Sequence, residues 1–220
     1  SLSVIKPSGE GHKIYLTFDD GPSRNTGDVL DVLKSYNIRA TFFVIGPDEI
    51  DLSLYDRILD EGHSMGLHSY SHNTGKIYAS SDAYIEDFKK LRSFIFKQTG
   101  TLPGICRMVG GSNSQLCSMQ TRKEILDCFS QIGYKCYDWD IDPKDSGEYA
   151  LSAEGITENV IINSEQNPNQ DLVILLHDDK IRKTLPEALK AIIPYFIEKG
   201  YEFGALSEDT VLDGSRAEVN

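Results

Sequence analysis

Short apolar runs alternate with stretches in which apolar residues recur every three or four positions, and this alternation continues along almost the whole chain. Ile14-Tyr15-Leu16-Thr17-Phe18 is rich in β-branched and aromatic residues and predicts a buried strand. Val29, Leu30, Val32, Leu33 and Tyr36 fall at helical spacing, and Ala40-Thr41-Phe42-Phe43-Val44-Ile45 predicts a second buried strand, completing a βαβ unit. A short helix around Tyr55, Ile58 and Leu59 ends at Gly62, and Met65-Gly66-Leu67-His68 is a weaker third strand. The stripe Tyr84, Phe88, Leu91, Ile95 marks a longer helix that stops near Gly100, and Ile105 to Val109 follows as a fourth strand. Ile125, Phe129 and Ile132 give a helix closed by Gly133, then a strand from Tyr134 to Trp139. A helix near Ile156 to Ile162 precedes the strongly apolar Leu172-Val173-Ile174-Leu175-Leu176. Leu185, Leu189, Ile192, Ile193 and Phe196 make the last helix, and Tyr201-Glu202-Phe203 the last strand.

About seven strands alternating with helices imply a parallel sheet with helices outside it, either a barrel or an open doubly wound sheet. Both architectures gather functional groups at the C-terminal ends of their strands. The unusual polar residues of this chain stand there. Asp19 and Asp20 follow the first strand, His68 and His72 the third, and Arg107 sits late in the fourth. Asp140, Asp142 and Asp145 follow the fifth, and His177 and Asp178 end the sixth.

Composition narrows the partners. At 220 residues with 40% hydrophobic content the chain suits one globular domain, with no repeat or linker. A net charge of −12 argues against nucleic acid or an anionic membrane as partner, since both require a basic face, and favours neutral or cationic substrates. No apolar run is long enough to span a membrane, and the first ten residues lack the charged and apolar regions of an export signal, which implies that any signal or anchor was removed or never present. Cys106, Cys117, Cys128 and Cys136 lack a paired C-x-x-C spacing, so a structural zinc site is not expected, while several disulfide pairings or none remain open.

Adjacent carboxylates at a strand end, Asp19 and Asp20, point in different directions and can take different tasks, such as general base and metal ligand, although Asp-Asp-Gly is also an ordinary turn. His68-Ser-Tyr-Ser-His72 sets two imidazoles at i, i+4, on one side of the chain. Two histidines and a carboxylate leave a position open on zinc for water and substrate, as hydrolytic sites require. His177 emerges from an apolar strand at the same rim, where an imidazole backed by a carboxylate suits a general acid.

Together Thr17-Phe18-Asp19-Asp20-Gly21-Pro22, His68-Ser69-Tyr70-Ser71-His72, Arg107, Asp145 and Leu175-Leu176-His177-Asp178 resemble the NodB-homology polysaccharide deacetylases, a family of carbohydrate esterases. The resemblance implies a distorted (β/α) barrel with about seven parallel strands, with an N-terminal segment at 1–12, the catalytic domain at 13–206 and a C-terminal tail at 207–220. It implies a divalent metal, zinc before cobalt, manganese or nickel, held by Asp20, His68 and His72. Asp19 is then the general base, Arg107 its orienting partner, His177 the general acid and Asp145 the support of that acid, with Asp142 second by spacing.

Two departures from the family pattern matter. Where the family commonly shows Pro-Pro-Tyr-Gly after the arginine, this chain has Met108-Val109-Gly110-Gly111-Ser112-Asn113, which removes an aromatic wall of the sugar groove but keeps a backbone N–H near Gly110 or Gly111 for an oxyanion. Trp139, the only tryptophan, is either a sugar platform or a core residue. The activity implied is removal of N-acetyl groups from N-acetylglucosamine units of a polysaccharide, peptidoglycan first and chitin-type oligomers next. The alternatives are O-deacetylation of acetylated xylan or a related glycan, and a catalytically silent carbohydrate-binding domain. A wall or external polymer implies an extracellular or cell-surface location. Nothing in the helices argues for self-association.

Overall fold

The computed structural model describes residues 7–147 and 150–219; the first six residues of the N-terminal segment and the last residue of the tail lie outside the described residues. The strands are β1 (Lys13–Asp19), β2 (Thr41–Ile45), β3 (Ser64–Ser69), β4 (Ile105–Cys106), β5 (Lys135–Tyr137), β6 (Leu172–His177), β7 (Glu202–Phe203) and β8 (Glu218–Val219). The helices are α1 (Thr26–Ser35), α2 (Ser53–Asp60), α3 (Thr74–Ile77), α4 (Ser81–Thr99), α5 (Met119–Gln131), α6 (Ala153–Glu165) and α7 (Leu185–Glu198). One sheet runs β6-β1-β2-β3-β4-β5-β8, and β7 pairs with the start of β1. Every pairing is parallel except β5 with β8.

The sheet curls into a half-barrel, which decides against the open alternative. Its far sides meet where Ile141, just past β5, bridges Ile174 of β6, and the Leu175 N–H donates to the Ile141 carbonyl at 2.9 Å. The seam below that point is covered by the segment expected to be a tail. Asp213 donates its N–H to Asp171 at the foot of β6, Ser215 and Arg216 bond to Asp140, and Ala217 is fully buried before β8 begins.

The period-two alternation of the strands sorts side chains into two layers. Ile14, Leu16, Phe18, Phe42, Val44, Met65, Leu67, Cys106, Cys136, Leu172, Ile174 and Leu176 face outward into the main core under the helices. Tyr15, Phe43, Ile105, Tyr137 and Val173 face inward and fill the barrel with a second, smaller cluster. That interior is tight enough to require Gly66, where an added Cβ would stand 2.5 Å from Phe43 ring carbons. The inward parity continues upward to Asp19, His68, Arg107, Trp139 and His177, so one alternation delivers these residues to one rim.

Several helices start where capping chemistry directs. Ser80, Ser118 and Ser152 each accept a backbone N–H in the first turn of α4, α5 and α6, and Gly100 ends α4 in the left-handed region. Two strands fall well short of their apolar runs: β4 ends at Cys106 rather than Val109, and β5 spans Lys135–Tyr137 rather than Tyr134 to Trp139. Past Cys106 the Arg107 N–H still donates to the Leu67 carbonyl of β3 at 3.0 Å, but the Val109 N–H and C=O are taken by the hydroxyls of Tyr84 and Tyr78 and do not pair. All four cysteines are free thiols, Cys106 and Cys136 lying opposite each other on β4 and β5. No helix among the described residues is long and apolar enough to cross a membrane.

Candidate active site

At the end of β1 the backbone turns sharply. Asp20 adopts φ 72°, and the turn is tied to its neighbours by the Ile45 N–H donating to the Gly21 carbonyl at 2.8 Å and the Asp178 N–H donating to the Asp19 carbonyl at 2.8 Å. A side chain at Gly21 would place its Cβ 2.8 Å from an Asp178 carboxylate oxygen, so the approach needs glycine. Asp178 is buried beneath the turn and accepts a hydrogen bond from Thr26 Oγ1 at 2.5 Å. Burial first, then the charges of Asp179 and Asp20, push its carboxyl well above the usual range.

The turn sends the two aspartates to different partners. Asp19 Oδ1 accepts from Arg107 Nη1 at 2.9 Å, and Asp19 Oδ2 lies 3.7 Å from His68 Nε2. Arg107 is fully buried and donates from all three of its nitrogens: Nη1 also donates to Thr17 Oγ1 at 2.7 Å, Nε to the Tyr137 carbonyl at 3.0 Å and Nη2 to the Asp138 carbonyl at 2.7 Å. The guanidinium carbon is 4.2 Å from the Phe43 ring centroid and 5.5 Å from that of Trp139, so aromatic faces close the space the hydrogen bonds leave.

Asp20 Oδ1 faces two imidazoles, 3.0 Å from His72 Nε2 and 3.4 Å from His68 Nε2. It is buried and has no hydrogen-bond partner. His68 Nδ1 lies 2.8 Å from the Arg107 carbonyl, an acceptor only, which fixes the proton on Nδ1 and turns the Nε2 lone pair toward Asp20. The ligand atoms of Asp20, His68 and His72 lie within 4.8 Å of one another. An orphaned buried carboxylate oxygen facing two imidazole nitrogens is a donor set for a divalent cation of the zinc type, so the residues fit the metal that the motifs imply. Electrostatics agree. Burial opposes the charge on Asp20, yet the imidazoles outweigh it and hold the carboxyl well below its usual range, while Asp20 raises His72 against the opposing effect of burial.

His72 also takes a left-handed backbone, φ 49°, and an acid not singled out in the sequence holds its loop. Asp87 of α4 accepts from Ser69 Oγ at 2.7 Å and from the Tyr70 and Ser71 N–H groups at 2.7 and 3.0 Å. Ser69 Oγ in turn accepts the His72 N–H at 2.9 Å. The only sequence signal for Asp87 is a carboxylate on a helix beside the apolar stripe position Phe88.

His177 stands opposite Asp19 in the β1–β6 register. Asp145 is fully buried and meets it twice, Oδ1 at 2.7 Å from His177 Nδ1 and Oδ2 accepting the His177 N–H at 2.9 Å. Asp142 instead holds Lys144 through its N–H and Nζ. Burial alone would lower the His177 pKa, but the Asp145 hydrogen bond and charge, with Asp20 and Asp19 beyond, raise it to about 9.

The residues expected at the substrate side divide. Gly111 is buried against Trp139, and its N–H donates to the Met108 carbonyl at 2.9 Å, so it is not available as a donor to an oxyanion. The Gly110 N–H has no acceptor among the described residues, and Gly110 is exposed with φ 75°. Asp138 ties this loop to β5, accepting from Ser112 N–H at 2.8 Å and Ser112 Oγ at 2.5 Å. Trp139 is half-buried at the rim. A groove of about 710 Å³ opens on the Asp20 and His72 side of the rim and is lined also by Asp48, Glu49, Ser146 and Asp179 among others. A larger cavity of about 870 Å³ lies at the opposite strand ends, against Lys13, Tyr15 and Ser64, away from every group described above.

A family model described as polysaccharide deacetylase matches residues 6–135. A peptidoglycan-N-acetylglucosamine deacetylase of Bacillus cereus is 34% identical over 209 residues, covering 92% of this chain and 72% of the relative. Among solved structures, the catalytic domain of a peptidoglycan N-acetylglucosamine deacetylase from Eubacterium rectale superposes with a TM-score of 0.84 at 30% identity, covering 96% of both chains. A polysaccharide deacetylase from Bacillus cereus superposes with a TM-score of 0.78 at 34% identity, over 91% of this chain and 94% of that one. By fold, by site geometry and by these likenesses, the chain belongs to the polysaccharide deacetylase family.

Proposed function

We propose that this protein is a metal-dependent hydrolase that removes N-acetyl groups from N-acetylglucosamine units of peptidoglycan, acting outside the cell at the wall. The observation that carries the reading is the convergence at one rim of a three-ligand set, a separate carboxylate held by a buried arginine, and a carboxylate-backed imidazole opposite it in register. The peptidoglycan deacetylases among its relatives support the choice of polymer.

Asp20, His68 and His72 hold the divalent cation, zinc by donor type, which when bound polarises the acetyl carbonyl and makes water more acidic. Asp19 has one oxygen fixed by Arg107 and offers Oδ2, beside His68, to take the proton of the attacking water. As the water oxygen adds to the carbonyl carbon, the Gly110 N–H meets the oxyanion. His177 has Nδ1 committed to Asp145, so Nε2 delivers its proton to the nitrogen as the carbon–nitrogen bond breaks. The products are acetate and a free amine on the sugar. Trp139 supplies an apolar face at the rim for the sugar ring.

The test is acetate release from intact peptidoglycan and from a chitin-type oligomer by zinc-loaded protein, beside acetylated xylan and the Asp19→Asn variant. Release from the N-acetylated polymers, lost in the variant, is the expected result. Release from xylan alone would overturn the amide specificity, and no release from any polymer by metal-loaded protein would overturn the enzymatic reading.

A further inference from the structure

The backbone at Val109 is held by two phenols. Tyr78, directly after α3, donates its hydroxyl to the Val109 carbonyl at 2.6 Å, and Tyr84 of α4 accepts the Val109 N–H at 3.1 Å. Both tyrosines are buried, with ring centroids 5.1 Å apart. The carbonyl that Tyr78 holds belongs to the same peptide unit as the Gly110 N–H. A trans peptide is planar and points its C=O and N–H in opposite directions, so fixing one fixes the other. A carbonyl that accepts a strong hydrogen bond also polarises its own peptide, making the N–H a better donor.

We propose that Tyr78 is a positioning residue for the reaction, aiming the Gly110 N–H at the oxyanion through the Val109 carbonyl. The inference rests on the deacetylase reading above. Three observations carry it. The next N–H along the chain, that of Gly111, closes onto Met108 and leaves Gly110 as the donor. Gly110 has φ 75° and no side chain, so its neighbours rather than its own sterics must set the direction of its N–H. Tyr78 also arrives on the segment that carries metal ligand His72: Asn73 caps α3 by accepting the Lys76 N–H, and the short helix delivers the phenol to Val109. One stretch of chain thereby places a cation ligand and the prop of a backbone donor.

A tyrosine that only filled the core would be replaced by phenylalanine without consequence for chemistry. The test compares Tyr78→Phe with Tyr84→Phe, which loosens the same residue through the preceding peptide and also gives up the 3.5 Å bond from the Tyr84 hydroxyl to the His68 carbonyl, so zinc content is measured in both variants. Steady-state acetate release from an N-acetylglucosamine oligomer is read with the amide proton shift of Gly110 in isotope-labelled protein, with and without zinc. In Tyr78→Phe, kcat falls about tenfold with KM unchanged, because an oxyanion donor acts in the transition state rather than on bound substrate. The Gly110 amide proton moves upfield with or without metal, and Tyr84→Phe changes both readouts less. Turnover of Tyr78→Phe within twofold of wild type, a KM rise at constant kcat, equal losses in both variants at equal zinc content, or an unmoved Gly110 amide would each overturn the proposal. Were the wild-type protein to release no acetate, the deacetylase reading would fall, and the amide shift would still decide whether Tyr78 aims this N–H.

Discussion

Asp19 and Asp145 are the same side chain in two halves of one rim. Both are buried, both come from the C-terminal side of a strand, and each is bonded to a cationic partner at 2.7 to 2.9 Å. The partners differ. Arg107 keeps its charge at any working pH and spreads four donor contacts over Thr17, Asp19 and two backbone carbonyls, so this half is a rigid frame around an acceptor. His177 exchanges its proton, and Asp145 grips both its ring and its N–H, so the other half is built to hold and release a proton. On the proposed mechanism, base and acid are told apart by what stands behind each group, and pH dependence belongs to the acid half.

Replacing the proposed base breaks the comparison most severely. Asp19→Asn keeps the hydrogen bond to Arg107 but cannot take a proton, and turnover is expected to fall about 10³-fold, the general scale for a lost catalytic base. Metal content measured by atomic absorption should stay at the wild-type level, because Asp20, His68 and His72 are intact. His68→Ala should do the opposite and empty the site. An Asp19→Asn enzyme that retained full turnover would remove Asp19 from the base role.

Arg107→Lys tests the frame. An ammonium has three donors for four acceptors and cannot reproduce the planar fork, so at least one of the buried acceptors Thr17 Oγ1, Tyr137 O and Asp138 O loses its donor. Unfolding by urea should show a loss of about 3 kcal/mol, the scale for breaking a buried charged network. Turnover should fall about 100-fold as Asp19 loses its fixed orientation.

Asp145→Asn tests the other half and leaves a different mark. Without that carboxylate, burial dominates and the His177 pKa falls from about 9, so the alkaline limb of the pH–rate profile moves to lower pH while turnover at neutral pH drops about 100-fold. The sign for stability follows the same shift. Because the folded value lies above the ordinary imidazole value of about 6.5, the pair stabilises the metal-free protein fully below that pH and loses its contribution as pH rises through about 9. Melting temperatures of metal-free wild type should therefore fall between pH 6.5 and 9 more steeply than those of Asp145→Asn. Parallel slopes would show that the pair does not carry the linkage.

What could be read from the sequence was what strand periodicity delivers. Asp19, His68, Arg107 and His177 share the inward parity of parallel strands, so apolar runs with polar ends already announce a common rim. The groups behind that rim could not be read the same way. Asp87 holds the His72 loop from a helix, and Tyr78 and Tyr84 hold Val109 across more than twenty residues of chain, contacts that only packing creates. The stretch 207–219 has no apolar alternation to mark β8, because it docks through backbone bonds to Asp140 and Asp171 and only a few scattered side chains, Leu212, Ala217 and Val219, reach the cores. Gly111 differs for another reason: Gly-Gly promises a free N–H, and only the turn onto Met108 shows which of the two is engaged.

The smallest expected effect sharpens the acid half. Asp142 and Asp145 lie three residues apart in one loop, and spacing alone leaves either near His177. Asp142 accepts the Lys144 N–H at 2.8 Å and pairs with Lys144 Nζ, a side chain that is 80% exposed. An asparagine at 142 keeps an oxygen for the backbone N–H and gives up only an exposed ion pair, which contributes little in water. Lys144 holds φ 61°, and the retained N–H bond, with Asn159 Nδ2 donating to the Pro143 carbonyl at 2.8 Å, keeps the loop that carries Asp145 onto His177. Asp142→Asn should leave turnover within about twofold and the alkaline limb in place. If instead the limb moved as far as in Asp145→Asn, the charge that sustains the acid would belong to the loop as a whole rather than to one buried carboxylate, and the contrast with the rigid Arg107 half would lose its basis.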